Sequence, residues 1–467
     1  MLIFNNLLIN KNSDRYQPFL FNLLSGRRRL LNDDEVALVV SMAEKDGPHA
    51  FSEAEANLYN QLIREKQFLT DEQRRFFEAK LTESGYFDIK SKYADDYSFS
   101  VELTRACNMQ CSYCYVGSRL NDGRSMTKEH IDAIYEFYRT YADDESKIVK
   151  TPLIRITGGE PLVNRETAGL INYLASRWVN AKLILFTNGV NLLKYYDALP
   201  LARIEEVHVS LDGVKDVHME RRYSGGKRDD AIYDNIIAGV QQLLADGIKV
   251  KIKPILDKTN YIRFRDFHEF LAAKGILDSP NCELLPGIVV DFRHPLDISP
   301  EHNSEEDIVK IQRYMESFDC AAPTFPSFTT LLKVLGRPVN EPYKPEHQRC
   351  NGRFLSNYYF SCNGKVYFCD CINENDGVVG TYFPGISIDE AAVSGLLNRS
   401  VMRIEKCKSC AYKFICLGGC PLAARTKNEE VSCGIFADEN ILDNLEFDYN
   451  RARHSGYQRR SETEGAV

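Results

Sequence analysis

The chain lacks any long apolar run: no stretch of its 467 residues approaches the roughly 20 needed to span a membrane. Its amino terminus, MLIFNNLLINKNSDRY, has neither the basic start nor the small-residue cleavage site of a secretory signal. Excess positive charge is missing too. The net charge is -8, so the electrostatic footprint of a nucleic-acid binder is absent. These absences point to a cytoplasmic protein with no membrane or nucleic-acid partner. Hydrophobic residues at 44% and charged residues at 27% are ordinary for a folded chain, and the length suits two to four domains. Cysteine breaks this plainness. There are 14, and in a reducing compartment they are poor disulfide candidates and good metal ligands.

Three of them, Cys107, Cys111 and Cys114, lie in the segment LTRACNMQCSYCYV with the spacing C-x3-C-x2-C. A structural zinc site closes with four ligands, usually built from C-x2-C pairs. A four-iron cluster also takes four thiolates as a rule. Three thiolates leave one iron open to bind a further molecule, as in a catalytic metal site with an incomplete shell. A zinc knuckle with a distant fourth ligand, or thiols that are simply close, are the plainer readings of the spacing.

With Tyr113 before the third cysteine, the segment resembles the signature of radical S-adenosylmethionine (SAM) enzymes. The resemblance implies a [4Fe-4S] cluster on Cys107, Cys111 and Cys114 whose open iron chelates SAM. It also implies reductive cleavage of SAM to a 5′-deoxyadenosyl radical that abstracts a hydrogen atom, and an electron donor such as flavodoxin or ferredoxin. The cofactor carries this chemistry, and the protein binds, orients and shields it.

From Tyr97 short apolar runs alternate with amphipathic ones. YSFSVELT, LIRIT, KLILFT, EVHVSL, VKIKPIL and CELLPGIVV read as strands, with helical patterns such as KEHIDAIYEFYRTYA and YDNIIAGVQQLLADG between them. Repeated β-then-α units predict an α/β fold with a parallel sheet, and the resemblance favours a partial (β/α)6 TIM-like barrel over residues 95–310. Function then gathers at the carboxyl ends of the strands, where the cysteine segment falls. RITGGEP places Gly158, Gly159 and Glu160 at the second strand end; the glycines allow close backbone approach and the carboxylate can accept from an ammonium group. This is similar to the family's GGE motif, which binds the SAM amino group. FTNG supplies Thr187 and Asn188, and VSLDG supplies Ser210 and Asp212; the resemblance implies contacts to the ribose and methionyl parts of SAM. HMERRYSGG is similar to an H-x3-R segment and makes Arg222 the candidate for the SAM carboxylate, with Met219 where the family often has Asp. Singly, TNG and LDG are also ordinary turn sequences.

Composition shifts near residue 320. A proline-bearing linker, GRPVNEPYKPEHQ, precedes Cys350, Cys362, Cys369, Cys371, Cys407, Cys410, Cys416, Cys420 and Cys433. The run C-x2-C-x5-C-x3-C from Cys407 to Cys420, with NGKVYFC before it, resembles the SPASM extension of peptide-modifying radical SAM enzymes, here over residues 320–440. A zinc ribbon is the alternative. The resemblance implies two auxiliary [4Fe-4S] clusters, making three in all. One would take Cys407, Cys410, Cys416 and Cys433; the other would take Cys350, Cys369, Cys420 and a variable fourth ligand. A two-residue hairpin turn at Asn363-Gly364 pairs Cys362 with Lys365. Cys369 is then about 13 Å along the strand from that pair and Cys371 only about 7 Å beyond Cys369, which favours Cys371 as the fourth ligand. An open iron, or Cys362, is the alternative, and a bulge would void the argument. Cys282 and Cys320 are isolated and expected to be buried. The tail 449–467 is polar and expected to be disordered.

Before the barrel, QPFLFNLLSGRRRLLND reads as two strands around Ser25-Gly26, followed by a helix DEVALVVSMA capped by Asp33 or Asp34. Helical patterns follow at SEAEANLYNQLI and TDEQRRFFEAKLTESG, the latter ending at Gly85. A strand hairpin with small helices over residues 1–90 resembles the winged-helix recognition element of enzymes that modify ribosomal peptides. A leader peptide of the precursor would dock there by adding a strand; a helical cap over the barrel is the alternative. The whole is similar to ribosomal-peptide (RiPP) maturases that install a crosslink, with a thioether from a peptide cysteine favoured and a carbon–carbon crosslink or epimerisation also compatible. An anaerobic sulfatase-maturing enzyme, which forms formylglycine and begins almost directly with the barrel, is one rival. A non-catalytic iron–sulfur electron-transfer protein is the other.

Overall fold

The computed structural model describes residues 6–83 apart from 14, 15, 23 and 26, then 98–141 apart from 115, 152–222 and 231–291, then 297, 298 and 301–320 apart from 316 and 319, then 358–369, 377–397 and most of 401–433. Cys350, Cys371, the proline-bearing linker, the end of the third helix at Gly85 and the tail lie outside the described residues. The described residues fall into two compact units, one holding residues 6–83 and 401–433, the other 98–320 and 358–397.

In the first unit, β1 (Asn6–Ile9), β2 (Phe19–Asn22) and β3 (Arg28–Leu30) form an antiparallel sheet in that order. The chain turns between β2 and β3 because the Asn22 side-chain oxygen accepts from the backbone N–H groups of Leu24 and Ser25. Helix α1 (Asp33–Ala43) is capped by Asn32, in a reciprocal box with Glu35, rather than by Asp33 or Asp34. Asp33 and Asp34 instead occupy the first turn, where acidic side chains favour the helix dipole. Helix α2 (Glu53–Arg64) carries the same box from Ser52 to Glu55, and α3 (Asp71–Glu83) follows. Leu20, Leu31, Val39, Met42, Leu58 and Phe68 close the core between sheet and helices.

The second unit is built on a sheet of ten strands. Its parallel part runs β10 (Cys282–Leu284), β8 (Lys249–Lys253), β7 (Ile204–Ser210), β6 (Lys182–Thr187), β5 (Leu153–Thr157), β4 (Ser98–Glu102). Successive strands are joined through helices, including α4 (Lys128–Tyr141), α5 (Arg165–Arg177), α6 (Lys215–Arg221), α7 (Ala231–Ala245) and α8 (Phe264–Ala273); α9 (Glu305–Met315) follows. Beyond β8, the short strands β9 (Ile255–Leu256) and β11 (Gly287–Ile288) pair in parallel, and β12 (Val290–Asp291) pairs with β13 (Asp297–Ile298). Along the parallel strands the apolar side chains of one face are wholly buried, as crossover helices require: Ile154 and Ile156, Leu183 and Leu185, Val207 and Val209, and Val250 and Ile252 lie two residues apart, whereas Lys251 on the other face of β8 is half-buried.

The sheet continues past β4 with β14 (Tyr359–Phe360), parallel to it, and then antiparallel β15 (Lys365–Tyr367), β16 (Val378–Thr381) and β17 (Ser387–Ile388), before α10 (Glu390–Leu397). Residues 358–397 therefore group with the barrel rather than with the later cysteines, and the reason is aromatic packing. Phe360 meets Phe99 on β4 at 5.7 Å and Phe137 on α4 at 5.3 Å, both edge to face.

The β14–β15 turn differs from the expected two-residue form. Phe360 pairs with Val366 and the Ser361 N–H donates to Lys365 O, so Cys362-Asn363-Gly364 is a three-residue turn with Gly364 at φ +81°. Cys362 consequently sits in the turn and does not pair with Lys365. β15 ends at Tyr367, and the pairing of β15 with β16 is interrupted by a bulge. The alternation from Cys362 to Cys371 thus loses its basis.

Candidate active site at the strand ends and a second cysteine cavity

The loop after β4 carries Cys107, Cys111 and Cys114, all half-buried. It is held from three directions. The Cys107 N–H donates to Asn121 Oδ1 at 2.8 Å, and the Ser112 N–H to Arg221 O at 3.0 Å. Gly158 and Gly159, at the end of β5, press against its backbone: the Gly159 N–H donates to Thr104 O and the Glu160 N–H to Ala106 O. A Cβ on Gly158, whose φ is +144°, would stand 2.3 Å from Thr104 O, and one on Gly159 2.5 Å from Ala106 O. These glycines let the second strand end approach the cysteine loop closely.

Glu160 is buried, and its carboxylate already accepts from the Leu162 N–H, the Thr187 hydroxyl and the Asn188 N–H. Burial raises its pKa against those donors. The residue locks the ends of β5 and β6 together. Asn188 then points its amide at Cys107 Sγ, 3.9 Å away, and donates to Asn108 Oδ1 at 2.8 Å. Ser210 is the last residue of β7 and is half-buried.

Asp212 is the hub of a buried charge network. Its carboxylate accepts from the Tyr113 hydroxyl and from the Ile255 N–H, and Oδ2 lies 3.1 Å from Arg222 Nε and 3.4 Å from Arg221 Nε. Burial alone would raise its pKa; the two guanidinium groups, Arg222 first, outweigh burial and hold it below the usual carboxylate range. Arg221, which the sequence reading passed over, is also 2.5 Å from Asp257 Oδ2. Both arginines face the Tyr113 ring, at 4.8 and 5.4 Å from its centre. Arg222 reaches Cys111 Sγ at 3.8 Å. Behind them His218 accepts from the Asp212 N–H, and burial followed by Arg222 lowers its pKa to about 3.

Without a metal, burial pushes the Cys107 thiol up to about 12 and raises that of Cys111, which Arg222 opposes. Metal coordination is what would deprotonate them. The donor set fits an iron–sulfur group: three soft ligands on one loop, with an amide and a guanidinium already facing two of the sulfurs.

The first unit holds a second set. Cys407 on α11 (Glu405–Lys408), Cys410, Cys416 on α12 (Lys413–Cys416) and Cys433 line one cavity of about 190 Å³ with Lys406, Lys413, Gly418 and Val431. Gly418 and Gly419 have φ +78° and +66°, and Gly419 bridges to Ser432 so closely that a Cβ would stand 1.6 Å from Ser432 O. Cys420 is outside the lining; it is buried just before α13 (Pro421–Thr426), accepting from the Ala423 N–H. The cavity equals roughly six water volumes, room for a multi-atom group rather than one ion. Among the described residues no three His, Cys, Asp or Glu side chains converge on a single-ion site, and no described cysteine is in a disulfide.

The remaining cysteines are apart from these sets. Cys362 is buried and donates to Glu102 Oε2 at 3.5 Å, while Cys369 is half-buried beyond the end of β15. Cys282 and Cys320 are half-buried rather than buried: Cys282 sits on β10 at the end of the parallel run, where among the described residues one side has no neighbouring strand.

Comparison with known proteins follows the same division. The Radical SAM superfamily profile matches residues 101–271, so the chain carries a radical SAM domain, and its second unit has the TIM-like α/β fold of that domain with a central parallel sheet. Among curated proteins, GTP 3′,8-cyclase of Helicobacter pylori is 31% identical over 159 residues, 34% of this chain and 46% of that protein. GTP 3′,8-cyclase of Clostridium perfringens is 28% identical over 206 residues, 42% and 58% respectively. The chain thus spans about half the length of these curated relatives. Among solved structures, native anSMEcpe with bound AdoMet matches at a TM-score of 0.54 and 15% identity, over 79% of this chain and all of that one. SuiB of Streptococcus suis bound to precursor peptide SuiA matches at 0.53 and 14%, over 92% and 98%. Among the described residues no helix is long and apolar enough to cross a membrane.

Proposed function

We propose that the chain is a cytoplasmic radical SAM enzyme that modifies a ribosomally made peptide, with SAM and one cluster at Cys107, Cys111 and Cys114 and auxiliary clusters on the later cysteines. The observation that carries this reading is the presence of two cysteine sites of different design: three thiols at the strand ends and four lining one cavity. Bound at the first site, cluster and SAM supply one-electron cleavage of the sulfonium and hydrogen-atom abstraction. Arg222 offers a cation for the SAM carboxylate beside Cys111, and Asp212 fixes that cation in place. Asn188 orients toward Cys107, Tyr113 backs the two arginines, and the tight seat of the loop on Gly158 and Gly159 keeps the thiols at the strand ends. Cys407, Cys410, Cys416 and Cys433 would hold one auxiliary cluster. Cys369 and Cys420, with Cys350, remain the candidates for another, with Cys371 or an open iron completing it.

The three-stranded sheet of the first unit supports peptide docking, since among the described residues no strand pairs with the outer edge of β1 or β3. The peptide-bound SuiB structure, alike in fold over 92% of this chain, is consistent with that role. A crosslink is the favoured product, a thioether first. The second reading is a GTP 3′,8-cyclase-like reaction on a nucleotide, favoured by the names of the curated relatives. One experiment separates them. Anaerobically reconstituted protein is given dithionite and SAM with either GTP or a short precursor peptide from a neighbouring reading frame. Deoxyadenosine formation dependent on the peptide, with loss of about two mass units for a crosslink and none for epimerisation, supports the maturase. Turnover of GTP alone overturns it.

A further inference from the structure

Lys413 is an anomaly in the first unit. Lysine is almost never fully buried unless paired, yet the side chain of Lys413 is only 4% exposed and lines the four-cysteine cavity. Its Nζ donates to Lys408 O at 3.1 Å and to Glu78 Oε1 at 3.1 Å. Glu78 lies on α3, 335 residues earlier in the chain, and is itself largely buried. Lys406 lines the same cavity but is exposed, so solvent and salt screen its charge.

We propose that Lys413, positioned by Glu78, is the counter-charge that sets the reduction potential of the centre bound in this cavity. The proposal rests on the reading that Cys407, Cys410, Cys416 and Cys433 bind a cluster. Four thiolates give such a group net negative charge, and each electron added makes it more negative. A cation fixed beside it in a poorly solvated place favours the reduced form, so the potential rises with Lys413 present. Glu78 acts in the opposite sense by its own charge while keeping the lysine at the cavity wall. The electron-accepting power of the C-terminal site is then set jointly by a residue between its ligands and a residue of the amino-terminal helices.

The test uses the full chain with Cys107, Cys111 and Cys114 all changed to Ala, so that remaining iron belongs to the later cysteines. Potentials are read by EPR-monitored redox titration after anaerobic reconstitution. Lys413→Met is expected to move the midpoint of one centre to more negative potential, Glu78→Gln to more positive potential, and Lys413→Arg and Lys406→Met to leave it where it was. Shifts of opposite sign are the signature, because a loss of packing alone would not depend on the sign of the charge removed. An unmoved midpoint in Lys413→Met, or an equal shift in Lys406→Met, overturns the proposal. Should Lys413→Met take up no iron, Lys413→Arg and Lys413→Gln decide: iron retained only by the charged variant supports it, and equal iron in both overturns it. Iron missing from the parent overturns the cluster reading and the proposal together, whereas iron present with an unmoved midpoint overturns the proposal alone.

Discussion

The two cysteine sites solve one problem by the same device and then part company. At each, glycine lets two backbones approach more closely than a side chain would permit: Gly158 and Gly159 against Thr104–Ala106, and Gly419 against Ser432. The strand-end site then has three thiols and arginines buried against a carboxylate, with Arg222 turned toward one sulfur. The cavity site has four thiols and a buried lysine. Three ligands with a neighbouring cation leave a place for an anionic partner molecule, whereas four close the shell. The first arrangement suits chemistry on a bound molecule and the second suits storing or passing an electron.

The largest test of this contrast is to remove each site in turn. Cys107→Ala should lose about four irons and all reductive SAM cleavage, measured as deoxyadenosine, whereas Cys407→Ala should lose about four irons yet keep the cleavage. If Cys107→Ala still cleaves SAM, the assignment of the first site is wrong. Next come the glycines. Gly158→Ala and Gly419→Ala each force a Cβ into a backbone oxygen at positive φ, and each should cost at least about 3 kcal/mol in urea unfolding. Gly158→Ala should also lower the iron held at the first site, and Gly419→Ala that held at the second.

A smaller effect sharpens the view of Asp212 as hub. Tyr113→Phe removes the hydroxyl that donates to its carboxylate and should cost about 1.5–3 kcal/mol, since the acceptor is charged. A cost near zero would mean that the arginines and the Ile255 N–H hold Asp212 without it. The smallest effect is in pH. His218 is neutral and buried, with its pKa depressed to about 3, so the unfolded chain binds the extra proton once pH falls below about 6.5. Stability is therefore full above about 6.5 and declines toward 3, by roughly 1.4 kcal/mol from this residue at pH 5.5. His218→Gln should flatten the fall in urea midpoint between pH 7.5 and 5.5. His208, lowered to about 4 chiefly by burial, should keep its own share of that fall in the variant.

Local signals were enough for much of this molecule. The alternation of apolar runs with amphipathic ones identified the parallel strands, because the strand face packed under the helices is apolar at every second residue. The cap of α1 shows the limit of such signals: the sequence reading offered Asp33 or Asp34, and the backbone geometry chose Asn32 before them. The hairpin at Cys362 shows it again: Asn-Gly is compatible with turns of two or three residues, and the register fixed by Phe360 against Phe99 and Phe137 selected three. Arg221 was missed because nothing in the pair Arg221-Arg222 says which guanidinium faces inward, and both do.

By itself the sequence determined that sulfur chemistry is concentrated in a short early loop and a later run, and that the loop follows a strand, since spacing and periodicity are properties of neighbours along the chain. Only the tertiary structure decided that Gly158 and Gly159 press against the cysteine loop, that Asp212 joins Tyr113 to two arginines, and that Glu78 reaches Lys413. Those contacts join residues from nine to 335 positions apart, and buried charge is stable only where the fold brings its partner.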